Sequence, residues 1–278
     1  MGGRLEPVPV ASGYRAAMAD LPAGDPGSAL TAAEAVARSA QPILEFTRGW
    51  MLHERTAARG EELGLLPGRG FWVCGRNGVL GDVDADVVAA AIGFMHPDAV
   101  RRFWEHRPAG RSAAELANEY AGCAYRWAGP ALAAVPEAHL LRLEQLGRQL
   151  ADAALPQLGA LFSGWRAMER PDNTAEAVTL TLHVLREWRG GAHLLAVLGT
   201  GMAPLEAALA AGPPRGGPKW VRDLGWPEPY PDPALSALRR AQAEAQTSML
   251  CMTAFEALTG EERAEFVALL TEARTAVG

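Results

Sequence analysis

The segment Asn173–Arg189, NTAEAVTLTLHVLREWR, contains the two signals that recur throughout this chain. Asn173 stands three residues before a glutamate, which is the spacing of a helix N-terminus whose cap side chain accepts from the third backbone amide. The apolar residues behind it recur at helical spacing and share one face: Val178, Leu182 and Leu185. The segment therefore predicts an amphipathic helix over about 175–189, which Gly190 and Gly191 would end.

The same N-terminal signal occurs three more times, as a capping box in which a hydroxyl residue precedes a glutamate by three positions. The pairs are Thr31 and Glu34, Ser112 and Glu115, and Thr259 and Glu262. Each pair opens a stretch of high helix propensity. Signals for β-strands are scarce; the exception is residues 71–78, FWVCGRNG, because Asn-Gly can turn a hairpin. The predicted fold class is mainly α with little β.

Breaks in the helical pattern divide the chain into three parts. Residues 1–30 are rich in Gly, Pro and Ala and are expected to form a loose N-terminal arm. A break at 166–172 separates an N-terminal helical half, residues 31–165, from a C-terminal half, residues 166–278. Segment 213–233 of the second half is rich in proline and tryptophan, so it is expected to be irregular, without a regular helix or central strand, but packed down.

The composition excludes several classes of function. The 278 residues carry a net charge of −6, which argues against broad, charge-driven binding of nucleic acid. No run approaches the ~18 apolar residues that cross a bilayer, and the N-terminus lacks a signal-peptide core, so a cytoplasmic protein without a membrane partner is expected. Motifs for dinucleotides, for phosphate loops, for a zinc site and for a serine nucleophile are missing, so no cofactor and no metal are expected.

Two segments of the chain resemble an actinobacterial helix-turn-helix family that is distantly similar to MarR-type winged-helix regulators. The first is residues 70–81, GFWVCGRNGVLG, together with Phe94-Met-His-Pro97, and the second is residues 185–193, LREWRGGAH. The resemblance implies two winged-helix-like helical halves in one chain, which would form a pseudo-dimer. It implies no chemistry, because a fold does not supply a function.

The chain departs from that family pattern where DNA would bind. A recognition helix reads base edges with basic or amide side chains, but the corresponding residues 203–211, APLEAALAA, have none. The Pro- and Trp-rich segment 213–233 stands in place of a wing, with only Arg215, Lys219 and Arg222 as basic residues. Three aspartates at the corresponding approach of the first half would repel phosphate: Asp82, Asp84 and Asp86. DNA is therefore an unlikely partner on sequence grounds.

The densest polar group lies on the helix predicted from Asn173. His183 and Glu187 are four residues apart, so they are neighbours on a helix and can form a general base or supply two metal ligands. His193, Glu187 and His183 are the candidate catalytic residues, and Arg186 is a candidate for ligand binding. The structural alternative is an ion-pair network at a helix end that holds the two halves together.

Arg76 follows an apolar run, where an unpaired guanidinium would be costly. It is expected either to pair with an acid such as Glu45 or Glu187, or to bind an anionic group of a ligand. Trp72 precedes it by four residues and is a second ligand-binding candidate, since tryptophan suits pockets for aromatic ligands.

Three further residues are candidates for ligand binding. Trp50 and His53 share a face with Phe46 on a helix predicted over 32–62, and this face is either core or a stripe that contacts a ligand. His96 precedes Pro97 at a helix boundary, where it either caps the helix or points into a pocket.

Together these features predict a protein that binds an apolar or aromatic small molecule between its two helical halves. It could be a cofactor-independent isomerase, cyclase or dehydratase of secondary metabolism that needs only acid–base catalysis. The alternatives are a ligand-responsive MarR-like regulator, a sequestering or resistance protein, and a partner-binding protein that docks through segment 213–233. The sequence leaves an oligomer possible.

Overall fold

The computed structural model of the protein describes residues 28–211 and 216–278. Most of the predicted N-terminal arm, and Arg215 in segment 213–233, lie outside the described residues. Within them the chain forms thirteen α-helices and three short 3₁₀-helices, and no strand. This confirms the mainly α fold class, whereas the pseudo-dimer of winged-helix-like halves stays a prediction.

The helices follow one another with short connections. In chain order they are α1 (Ala32–Met51), α2 (Glu54–Glu62), α3 (Gly70–Asn77), α4 (Ala85–Ile92), α5 (Pro97–Glu105), α6 (Ala113–Leu132), α7 (Glu137–Ala153), α8 (Ala160–Arg166), α9 (Thr174–Gly199), α10 (Pro204–Ala210), α11 (Gly217–Asp223), α12 (Ala237–Phe255) and α13 (Gly260–Ala276). The 3₁₀-helices span Gly78–Leu80, Pro156–Leu158 and Pro233–Ser236.

All four predicted helix N-termini are confirmed. Complete capping boxes open α1, α6 and α13, in which the cap hydroxyl accepts from the backbone of a glutamate that bonds back to the cap. The side chain of Asn173 accepts from the Glu176 amide and opens α9. Each cap satisfies backbone donors that a helix start leaves without partners, a contribution of about 1 kcal/mol.

Helix α9 is the central element of the fold. It contacts α1, α6, α7, α8 and α12, and every residue of 177–188 except Arg186 is buried. This stretch of the helix has almost no solvent face, so its polar residues must find partners in the interior. The main apolar core around α9 includes residues on both sides of the predicted division, such as Phe46 and Phe266.

The predicted hairpin at residues 71–78 is wrong. Residues 70–77 form α3, and Asn77 and Gly78 lead into a 3₁₀-turn rather than a hairpin turn. Val73, Cys74 and Arg76 are all buried there, and the Asn77 side chain donates to the Val73 carbonyl one turn earlier. Packing of the whole segment against α6 therefore overrides the local turn preference of Asn-Gly.

The single helix predicted over 32–62 is wrong as well, because it is broken at His53. Helix α1 ends at Met51, and the His53 side chain accepts from the Arg55 amide at 3.1 Å to open α2. The Thr56 hydroxyl donates to the Trp50 carbonyl at 2.7 Å, which satisfies one end of α1. His53 therefore does not continue the face of Phe46 and Trp50.

The predicted helix stop at Gly190 and Gly191 is wrong too, since α9 runs on to Gly199. A Cβ at position 191 would collide with the Leu158 carbonyl, whereas one at position 190 would meet nothing within 4 Å. Gly191 thus allows the 3₁₀-turn at 156–158 to approach α9 closely. Its function is backbone packing rather than helix termination.

In the described part of segment 213–233, residues 216–233, the aromatic residues Trp220, Trp226 and Tyr230 pack against the core, as predicted. The Trp226 indole donates to the Phe94 carbonyl at 3.0 Å, and the Tyr230 hydroxyl donates to the Trp226 carbonyl at 3.0 Å. The expectation that it holds no regular helix is wrong for α11, in which Pro218 occupies the first turn, where a missing N–H does no harm.

None of the helices in the described parts of the chain is long and apolar enough by itself to cross a membrane. Taken together, α9 and α10 have the length and apolar composition of a membrane span. The two helices are, however, bent by 111° relative to each other.

Adjacent glycines of α9 give a matched test of this packing. We expect Gly191→Ala to lower the free energy of unfolding by about 1–3 kcal/mol, because the methyl group would force α9 and Leu158 apart. Gly190→Ala should raise it by about 0.5–1 kcal/mol, since alanine is favoured over glycine inside a helix. Urea unfolding measures both, and equal effects of the two changes would contradict the close approach.

Candidate functional site

A buried ion pair joins α3 to α9. The Arg76 guanidinium donates from Nε and Nη2 to the two carboxylate oxygens of Glu187, at 2.8 and 2.6 Å. Both residues are buried, with 7% and 2% of their surface exposed. Of the two acids that the sequence offered as partners for Arg76, the structure selects Glu187, whereas Glu45 bonds to Arg274 at 2.6 Å.

Glu187 accepts from a second guanidinium. Arg186 Nη1 donates to Glu187 Oε1 at 2.6 Å, and the His183 imidazole Nε2 lies 3.6 Å from the same oxygen, beyond hydrogen-bond distance. The structure therefore brings together four of the residues that the sequence singled out. We call Arg76, His183, Arg186 and Glu187 the buried polar cluster.

Burial and charge determine the protonation states in this cluster. Burial alone would raise the pKa of Glu187, but Arg76 and Arg186 outweigh it and lower the pKa to about 2. Burial also lowers the pKa of His183 to about 3, against the opposing effect of Glu187. At neutral pH the carboxylate is charged and the imidazole is neutral.

Aromatic side chains enclose the buried polar cluster. The Trp165 and Trp50 rings meet the His183 ring edge-on, with centroids 4.3 and 5.2 Å away. The Tyr120 ring packs on Trp50 at 4.8 Å, and the Trp72 ring lies 4.8 Å from the Arg76 guanidinium carbon. Tyr120 and Trp165 were not predicted for this site, because no local pattern around either residue indicates what it faces.

Several polar atoms of this region have no partner. The buried atoms without a hydrogen bond to any described residue include Tyr120 Oη, both His183 ring nitrogens, Arg186 Nε and Trp50 Nε1. A buried polar group without a partner costs about 1–3 kcal/mol, so such atoms are rare in folded proteins. Their concentration around Glu187 is the main reason to regard this region as a binding site.

His193 belongs to a different group of side chains. Its Nδ1 lies 3.0 Å from the Thr247 hydroxyl, which donates its one proton to the Ala243 carbonyl at 2.6 Å, so Nδ1 carries the hydrogen. Burial lowers the pKa of His193 to about 4. Six residues along α9 from Glu187, it stands about 9 Å further along the axis. The structure thus shows no shared contact between His193 and the buried polar cluster.

His53 and His96 occupy helix caps. The His96 side chain accepts from the Asp98 amide at 3.2 Å and opens α5, and its ring meets Trp226 edge-on at 5.0 Å. Of the two alternatives predicted for His96, a helix cap or a side chain that points into a pocket, the structure shows the cap. His53 caps α2 in the same way. Neither histidine contacts the buried polar cluster.

Within residues 28–211, two pairs of consecutive helices are joined by a turn of the same type. Helices α4 and α5 are joined through Gly93 at φ 75°, and α9 and α10 through Gly201 at φ 71°. Each connection ends in Met-x-Pro, with Met95 and Met202 buried and the proline in the first helical turn. Glycine adopts positive φ at little cost, so it suits both turns. The first turn contains Phe94-Met-His-Pro97, one of the segments on which the family resemblance rests.

The second helix of each pair is poorly suited to phosphate. In α5, Arg101 donates to Asp86 at 2.7 Å and to Asp98 at 2.6 Å. Helix α10 contains one charged residue, Glu206. Arg102 of α5 is exposed, lies over the Phe103 ring and forms no ion pair with a described residue, so one arginine of the two helices is left for a DNA backbone.

Two cavities lie away from the buried polar cluster. A surface cleft of about 370 Å³ at the end of α5 is lined by Trp104, Arg107 and Arg111 among others. An apolar cavity of about 10 Å³ lies between α1, α9 and α12, against Trp188 and Cys251. Across residues 28–211 and 216–278, no group of three or more His, Cys, Asp or Glu residues has the arrangement of a metal site.

Comparison with known proteins gives one match. The sequence profile of a helix-turn-helix family matches residues 33–278, which is most of the chain. No curated protein and no solved structure matches.

We expect His183→Leu to make the free energy of unfolding less dependent on pH. The pKa of His183 is about 3 in the folded protein because of burial, against an ordinary value of 6.5. The unfolded chain therefore binds this proton more tightly, and stability present above pH 6.5 is lost as the pH falls towards 3. From about pH 7 to about pH 5, the free energy of unfolding measured with urea should therefore fall by about 2 kcal/mol less in the variant than in the wild type. Equal losses in both proteins would mean that burial does not lower the pKa of the His183 imidazole.

Proposed function

The chain belongs to this helix-turn-helix family, and from that premise we propose that it binds a small organic molecule at the buried polar cluster. The observation that carries the proposal is the set of buried polar atoms without protein partners around Glu187. A molecule with hydrogen-bonding groups would satisfy them, which removes the cost that they impose on the fold. The rings of Trp50, Tyr120 and Trp165 pack on one another and on His183, so the surroundings of the cluster are aromatic.

Binding fits the site better than acid–base catalysis does. An efficient general acid or base has a pKa near the working pH. The pKa of Glu187, about 2 under the charges of its two arginines, and the pKa of His183, about 3 because of burial, are both far below neutrality. Both groups are weak bases at pH 7, and neither holds a proton to donate as an acid. We therefore favour a binding function over an isomerase, cyclase or dehydratase activity.

Native mass spectrometry of the purified full chain is the direct test. We expect a species heavier than the bare chain by the mass of one small molecule, which is released under denaturing conditions. Equal native and denatured masses, in a protein that no member of an aromatic compound library stabilises, would overturn the proposal.

Tyr120→Phe separates the unpaired hydroxyl from the packing of the ring. We expect the free energy of unfolding of the ligand-free protein to rise by about 1 kcal/mol, because a buried hydroxyl without a partner is removed. The same variant should lose the co-purifying molecule. Tyr125→Phe is the matched control, since Tyr125 lies on the same helix and is only partly buried there. Destabilisation by Tyr120→Phe would mean that the hydroxyl has a partner.

A ligand-responsive DNA-binding regulator is the second candidate, favoured by the two helix pairs joined by a turn. The small number of available cations opposes it, because Arg101 is held by Asp86 and Asp98 and α10 has no basic residue, which leaves Arg102 of α5 alone on these helices. We expect no binding of a labelled random-sequence duplex at physiological salt, measured by fluorescence anisotropy. Tight binding that weakens steeply with added salt would favour the regulator instead.

A further inference from the structure

The buried polar cluster holds more positive than negative charge. Arg76 and Arg186 each carry a positive charge, and Glu187 is the one carboxylate among the described residues whose charge stabilises both guanidiniums. The neutral His183 adds no charge. One positive charge is therefore in excess in a region that water scarcely reaches, where an uncompensated charge is costly.

The excess charge belongs to Arg186 rather than to Arg76. Arg76 uses two nitrogens on both oxygens of Glu187, which is a complete fork-to-fork pair. Arg186 shares one of those oxygens through Nη1, and its Nε has no partner among the described residues. Burial accordingly lowers the pKa of Arg186, which means that the fold disfavours its charged form.

The unpaired atoms near Arg186 are mainly donors. The charge of Arg186 acts on the Tyr120 phenol, whose O–H has no partner, and Trp50 Nε1 beside Tyr120 is another donor without an acceptor. Neutral imidazole adds one donor and one acceptor. A negatively charged acceptor group would complement both the unpaired donors and the excess positive charge.

Building on the function proposed above, we propose that the ligand is a small organic monoanion, a carboxylate on an aromatic body, whose oxygens bind Arg186 Nε and the Tyr120 hydroxyl. The side chain of Arg186 is 13% exposed, the largest value among the members of the cluster, so the carboxylate reaches the site from the side of this residue. Glu187 remains bonded to Arg76 and fixes the position of Arg186.

The test compares three probes that share one ring and differ in charge: benzoate, benzamide and benzylamine. At matched ionic strength, we expect benzoate to raise the melting temperature of the full chain, benzamide to raise it less, and benzylamine to leave it unchanged. In Arg186→Met the affinity for benzoate, measured by calorimetry, should fall by about tenfold or more. Arg189→Met is the matched control, because Arg189 pairs with Glu244 outside the cluster, and it should keep the response to benzoate.

Stability without a probe provides an independent measurement. With any co-purified molecule removed from both proteins, Arg186→Met removes the excess charge while Glu187 keeps both bonds to Arg76, so this variant should melt no lower than the wild type. A clear drop in its melting temperature would mean that Arg186 is fully compensated, and would overturn the inference.

The remaining outcomes also decide the matter. The inference that the ligand is a monoanion would be overturned by any of three results. These are no rise in melting temperature with benzoate, an equal rise with benzamide, or a rise with benzoate that persists in Arg186→Met. A co-purifying small molecule that is lost from Tyr120→Phe would still support the proposed function in those cases. Failure of the monoanion inference can therefore be distinguished from failure of the proposed small-molecule binding.

Discussion

The carboxylate of Glu187 is the interaction on which the interior of this protein depends. It lies on the enclosed helix α9 and holds two guanidiniums, one of which comes from α3, 111 residues earlier in the chain. Removing one partner of such a pair leaves an uncompensated buried charge, at a cost on the order of 3–5 kcal/mol. Helix α3 must therefore be a helix and must pack where Arg76 reaches α9. The Trp165 indole adds to this constraint by donating to the Arg76 carbonyl at 2.9 Å.

The sequence correctly predicts those parts of the fold that are determined by residues a few positions apart in the chain. A cap needs only a hydroxyl or amide and a glutamate three residues later, and all four such signals open a helix. The failures have distant causes. Asn77-Gly78 prefers a turn locally, but the segment is buried against α6, and Gly191 meets a carbonyl from residue 158. No window of sequence contains both sides of such a contact.

The same distinction holds within the candidate site. That Arg76 needs an acid follows from the cost of a buried guanidinium, and Glu187 was one of the two acids considered. That His183 neighbours Glu187 follows from helical spacing. Tyr120 and Trp165 join them only through the packing of α6 and α8 on α9, which the sequence does not reveal. His193 stands on the same helix, but its neighbour is Thr247 of α12.

The two helix pairs joined by a turn and the buried polar cluster are two consequences of one packing arrangement. Met95 and Met202 lie buried beneath the turns, and Trp226 of segment 213–233 donates to the carbonyl of Phe94 in the first turn. The first of these connections is therefore covered by segment 213–233 of the same chain. Arg101 of α5 donates to two carboxylates. Arg101 is thus neutralised at the surface, whereas Arg186 in the interior shares a single carboxylate with Arg76. The distribution of charge therefore favours recognition inside the helical bundle over recognition at its surface.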